Sequence, residues 1–175
     1  MRDNNLHHPP HIFIDDSWYF ITAHTISSVS VLKDNQAKMI WTAKLHEISK
    51  VFDVRIYAYV LLDDHYHFLG YFAASNTIPK FIHRLHGTTS YLINKRDHAV
   101  GRQVWHNYWD RVIRDEAEFY TKVNYIHHNP VKHGSMILGS GSFQHISFSC
   151  RKKERNGWGI VGVLILSRVL ISKIN

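Results

Sequence analysis

The sequence predicts an α+β fold, an antiparallel sheet with helices packed on one face. Three observations carry this. Hydrophobic residues make up 45% of the 175 positions, enough for the core of one ordinary domain. The apolar periodicity runs in the order strand, helix, strand, strand, helix, helix. The two central strands are separated only by Asp63-Asp64, a hairpin spacing that implies antiparallel pairing.

Taken in order, residues 1–11 hold His7, His8, Pro9, Pro10 and His11 and are expected to be a flexible lead-in. Residues 12–14 and 18–26 are rich in aromatic and β-branched types and form a first strand, entered through a turn at Asp15-Asp16-Ser17. A Ser-rich connection, 27–34, leads to a helix over 35–50. Its stripe is Ala37, Ile40, Trp41, Lys44, Leu45 and Ile48, with Asp34 or Asn35 as cap. Alternation from Val54 to Leu62 predicts a second strand, and His65 to Phe72 a third. Residues 77–96 predict a second helix with Asn76 or Thr77 as cap and Pro79 in its first turn. Residues 97–114 interleave aromatics with Arg102, Arg111 and Arg114. That pattern suits either a strand with core aromatics or a surface on which nucleic-acid bases stack. Asp115-x-x-Glu118 resembles a capping box and opens a third helix over 115–129, which Pro130 is expected to stop. Residues 136–175 make an atypical C-terminal tail. Its apolar run from Gly157 to Leu166 is about half the length that spans a bilayer. It is expected to be a terminal strand or a poorly ordered stretch, not a membrane anchor.

Charge narrows the partners. The formal net charge is +7, and it is unevenly placed. Residues 1–79 carry 6 Lys and Arg against 8 Asp and Glu; residues 80–175 carry 15 against 6. A basic second half favours an anionic partner, with nucleic acid first among them. The candidate contacts are Lys80, Arg84, Lys95, Arg96, Arg102, Arg111, Arg114, Lys122 and Lys132. On the second helix, where Lys80, Arg84, Lys95 and Arg96 lie outside the apolar stripe, a solvated face and a phosphate-binding face are the two readings. The single cysteine, Cys150, excludes an intramolecular disulfide and a cysteine-rich zinc site. No signal-peptide pattern opens the sequence, so a cytoplasmic location is expected.

The chemistry concentrates in two places. On a strand, His65 and His67 point to the same face, while Tyr66 and Phe68 point to the core. Two imidazoles so placed can hold one divalent metal, or can be surface histidines of a half-exposed strand. On the third helix, Tyr125 and Asn129 stand one turn apart on one face. Packed over the sheet, that helix would bring a phenol and an amide to the imidazoles. His65, His67 and Asn129 would suit Mg²⁺ or Mn²⁺, and Tyr125 is the nucleophile candidate, helped by the metal or by Lys122.

Three motifs in sequence then carry a family resemblance: Asp64-His65-Tyr66-His67-Phe68-Leu69; Trp105-x3-Trp109-Asp110-Arg111-Val112-Ile113-Arg114-Asp115-Glu116; and Val123-Asn124-Tyr125-Ile126-His127-His128-Asn129-Pro130-Val131-Lys132-His133-Gly134. Together they resemble the REP-associated tyrosine transposases, in the single-tyrosine branch of the HUH endonucleases. The resemblance covers residues 10–135, and the 58 residues separating His67 from Tyr125 suit it. It implies a ferredoxin-like catalytic domain in residues 1–135. It also implies cutting and rejoining of single-stranded DNA at hairpin or palindromic sites, through a covalent 5′-phosphotyrosine and without ATP. Tyr125 maps onto the nucleophile and His65 and His67 onto the metal pair, with aromatic Tyr66 where an aliphatic residue is commoner. Asn129 stands where relatives often have Gln as third metal contact. The tail after Gly157 departs from the family, as a truncated or frame-altered end would. The expected partner is single-stranded or hairpin DNA at the nucleoid, not a membrane, bound by a monomer or homodimer. Two other readings remain: a hairpin-DNA or RNA-binding protein that lost the chemistry, and a metal phosphodiesterase that activates water while Tyr125 is structural.

Overall fold

The computed structural model describes residues 13–132 and 145–148. The elements are β1 (Ser17–Thr25), α1 (Asn35–Val51), β2 (Arg55–Leu61), β3 (His65–Phe72), α2 (Ile78–Arg96), β4 (Trp105–Val112), α3 (Glu116–Lys132) and β5 (His145–Phe148). The sheet order is β4-β1-β3-β2-β5 with every pairing antiparallel. The first four strands with α1 and α2 make the β-α-β-β-α-β ferredoxin-like unit. Of residues 136–175, only β5 is described, running beside β2. The lead-in of residues 1–11 and the apolar run after Gly157 lie outside the described residues.

α1 and α2 share one face of the sheet. Trp41, Leu45 and Ile48 of α1 and Phe81, Leu85 and Ile93 of α2 pack with Tyr19, Ile21, Tyr59, Tyr66, Phe68 and Phe72. α3 lies on the other face, where Phe119 and Ile126 cover Phe20, Ala58, Val60 and Leu69. The one-face expectation therefore holds for α1 and α2, and α3 is an addition to it. The reason is visible in β3, which is buried at seven of its eight positions instead of alternating. A strand apolar on both faces needs cover on both.

Local chemistry sets the boundaries. Asp34 caps α1 by accepting from the Ala37 amide at 2.9 Å. Asp115 caps α3 through the Glu118 amide at 2.8 Å. Glu118 does not return the bond to Asp115. Its carboxylate accepts from the Arg114 amide and from Arg111. α3 does not stop at Pro130 but runs to Lys132. A proline removes one amide donor, and two residues before a helix end little is lost.

The β2–β3 hairpin closes on Asp63-Asp64, neither of which has positive φ, so the turn is not the mirror-image type that such loops favour. Outside contacts hold it instead. The Asp63 carbonyl accepts from the Leu32 amide at 2.9 Å and the Asp64 carbonyl from the Thr25 amide at 2.7 Å. The Asp63 carboxylate accepts from Lys38, a lysine only 3% exposed, at 2.8 Å. The dipeptide serves its carboxylates and not the turn.

Beneath the hairpin, Tyr66 is fully buried and its hydroxyl is hydrogen-bonded to Nε2 of His86 at 2.8 Å. Burial, with the neighbouring His83, pushes the His86 pKa from 6.5 down to about 3. Between those values the unfolded chain takes up a proton that the folded one refuses. Stability should therefore be full above the unfolded pKa and fall by about 1.4 kcal/mol for each pH unit below it. Denaturant titrations across that range should show this slope, and His86→Phe should flatten it.

Candidate active site

The candidate face of the sheet is built by register. In β1, Thr22 and His24 alternate as His65 and His67 do in β3, and the strands pair Thr22 with His67 and His24 with His65. Four polar side chains thus stand together on the face that α3 partly covers. His65 and His67 are each 5% exposed, which overturns the surface-histidine reading. Their rings meet edge to face with centroids 5.1 Å apart.

Each imidazole is held through Nδ1. His65 Nδ1 lies 2.6 Å from the Asp64 carboxylate, and His67 Nδ1 lies 2.7 Å from Thr22 Oγ1. With Nδ1 engaged, Nε2 is the nitrogen each would offer a metal. His24 stacks on His65 with centroids 4.8 Å apart. His24, Asp64 and His65 also bring ligand atoms within 4.8 Å of one another. In that group the Asp64 oxygen and His65 Nδ1 are already bonded to each other, so the carboxylate is better placed to orient the imidazole than to share a metal with it.

α3 brings the remaining groups. The half-buried Tyr125 ring meets His67 edge to face at 5.1 Å and Phe20 at 5.8 Å. Both partners belong to the same chain as Tyr125. The Lys122 ammonium lies 4.7 Å from the Phe20 ring and 5.9 Å from the Tyr125 ring, a positive charge beside the phenol. One turn after Tyr125, Asn129 is only 1% exposed, and neither atom of its amide has a hydrogen-bond partner among the described residues. Such an amide costs about 1–3 kcal/mol in an apolar setting. A metal would satisfy its oxygen, and two imidazoles with an amide oxygen make a donor set that a divalent ion can use.

The basic candidates separate. Lys122 is at the site, and Arg111 lies on the same face of β4, paired with Glu118 at 2.7 Å. Arg114 is exposed beside the start of α3. Lys80, Arg84 and Lys95 are exposed on α2, which packs on the opposite face of the sheet. Arg96 bonds Asp34 and Asp97, and Arg102 bonds Asp97 and Asn94. Those two arginines hold the loop after α2 together. The Lys132 side chain lies outside what is described.

Thr22, His24 and Asp64 were not among the residues singled out from the sequence. Asp64 opens the histidine motif, but the sequence reading gives it a place in the turn and no role at the site. For Thr22 and His24 the available signal was their own i, i+2 spacing, which matters only once the register is known.

The family described as Transposase IS200 like matches residues 14–129. Among solved structures, one of a REP-associated tyrosine transposase bound to a REP hairpin is similar at a TM-score of 0.62 and 19% identity, covering 74% of this chain and 75% of that one. A transposase candidate from Deinococcus radiodurans R1 aligns at a TM-score of 0.47 and 16% identity, over 70% of this chain and 94% of that one. No curated protein matches the chain. No helix among the described residues is long and apolar enough to cross a membrane.

Proposed function

The chain belongs to the IS200-like transposase family, and on that premise we propose that it nicks and rejoins single-stranded DNA at hairpin sites through a covalent 5′-phosphotyrosine on Tyr125. The observation that carries this reading is the Tyr125 ring standing 5.1 Å from His67 within one chain, on the face where both histidines are held through Nδ1. The structure of the similar transposase with its REP hairpin supports the choice of DNA form.

The Tyr125 hydroxyl oxygen attacks the scissile phosphorus. The bond from phosphorus to the 3′ oxygen breaks, and the 5′ phosphate stays on Tyr125 as a diester. The phenol proton passes to solvent, and the departing 3′ oxygen takes up a proton. Rejoining is the reverse, with a 3′ hydroxyl attacking the phosphotyrosine, so the bond energy is kept and no nucleotide is consumed. Lys122 stabilises the phenolate as it forms. His65, His67 and Asn129 would hold Mg²⁺ or Mn²⁺, which supplies Lewis-acid polarisation of the phosphate. Asp64 and Thr22 fix the two imidazole rings. Arg111, Arg114 and Lys122 are the basic groups best placed to hold the strand, and the protein acts where the nucleoid is.

The test is a denaturing gel of labelled hairpin DNA incubated with the protein and Mn²⁺. A protein–DNA adduct stable to denaturation is expected. Binding with no cleavage would make the protein an inactive hairpin binder, and cleavage without an adduct would make it a phosphodiesterase.

Asn129 offers a second, independent prediction. Asn129→Leu should stabilise the protein in a chelator by about 1–2 kcal/mol, because it removes a buried amide that no described residue bonds. It should also reduce the rise in melting temperature that Mn²⁺ produces. Denaturant titrations with chelator and with Mn²⁺ check both halves.

A further inference from the structure

β4 pairs with β1 through a bulge. From Ala23 to Thr25, β1 advances two residues while β4 moves three, from Tyr108 to Trp105. The extra residue in β4 changes which side chains share a face. Trp105 and Tyr108 both enter the core under α2, where the Trp105 indole donates to Thr89 Oγ1 at 3.0 Å. His106 and Trp109 are left together on the other face, their rings 10° from parallel with centroids 6.2 Å apart. Trp109 is 40% exposed, and it pairs with Thr22, the residue that also pairs with His67.

That places Trp109 in one row with Thr22 and His67, two strand spacings or about 10 Å from the histidine. Ring contacts run without a break from Trp109 to His24 at 6.0 Å, His24 to His65 at 4.8 Å, His65 to His67 at 5.1 Å and His67 to Tyr125 at 5.1 Å. A large apolar ring is costly to leave in water, and here it lies at the outer end of the candidate phosphate site with Arg111 two residues along the same face. We propose that Trp109, seated on His106, stacks an unpaired base next to the scissile phosphate. The inference rests on the reading that single-stranded DNA crosses this site. It adds the surface that distinguishes a strand with bases from a bare phosphate chain.

Stacking tolerates any base, so an oligothymidylate of about a dozen nucleotides, labelled with fluorescein, serves as probe. Its comparator is an abasic chain of equal length, with the same charge and no bases. Anisotropy titrations should show that the wild-type protein prefers the oligothymidylate by roughly tenfold or more. Trp109→Ala should remove most of that preference while affinity for the abasic chain and the melting temperature stay unchanged. Trp109→Phe should restore a large part of it. Equal preference in the wild type and Trp109→Ala overturns the proposal, as does an equal loss on both probes. The test reads binding alone. A protein that forms no tyrosine adduct yet shows the Trp109-dependent preference would refute the nicking chemistry and keep this inference; an adduct with no such preference would do the opposite.

Discussion

Tyr125→Phe is expected to abolish the covalent adduct with hairpin DNA, lowering cleavage by at least about a thousandfold, with hairpin affinity changed by no more than a few-fold. The substitution removes one oxygen. The ring remains to meet His67 and Phe20, so the packing of α3 on the sheet is kept. Affinity should survive because backbone phosphates, met by cations such as Lys122, supply most of it. An unchanged cleavage rate in Tyr125→Phe would show that another nucleophile does the work. Cleavage gels and gel-shift titrations on one preparation separate chemistry from binding.

His67→Ala is expected to be as severe for cleavage and to erase the stabilisation by Mn²⁺. His67 is buried between Phe20, which stacks on it at 5.4 Å, and the Tyr125 ring, so its loss also opens a space under α3. A milder change distinguishes loss of a ligand from loss of packing. Thr22→Val keeps the volume near His67 and removes only the partner of Nδ1. It should weaken metal affinity by roughly 10- to 100-fold and cost about 1–3 kcal/mol of stability in a chelator, because a buried ring nitrogen loses its partner while the packing is kept. Metal titrations followed by melting temperature report both variants, and an unchanged Mn²⁺ response in His67→Ala would remove His67 from the metal site.

Much of the fold was legible because periodicity is a local property. β3 begins and ends where the apolar run does, and Asp34 caps α1 as its residue type implies. The βαββα order, with antiparallel pairing at Asp63-Asp64, was sufficient to predict the class. What stayed hidden depends on register and on distant partners. Thr22 and His24 become site residues only because β1 pairs with β3 in that register. The bulge in β4 puts Trp105 and Trp109, an even number of residues apart, on opposite faces, which strict alternation would not allow. The Asp63-Asp64 turn is a poor hairpin dipeptide whose compensation by Lys38, Leu32 and Thr25 lies far off in sequence. The Pro130 stop was a sound local rule applied where only two residues of helix remained.

Mapping the adduct tests the central claim most directly. After reaction with hairpin DNA and Mn²⁺, nuclease trimming and proteolysis, mass spectrometry should find the nucleotide phosphate on the peptide that contains Tyr125, at Tyr125 itself. A phosphate on a different residue of that adduct, or a cleaved strand with no modified peptide at all, would contradict the account.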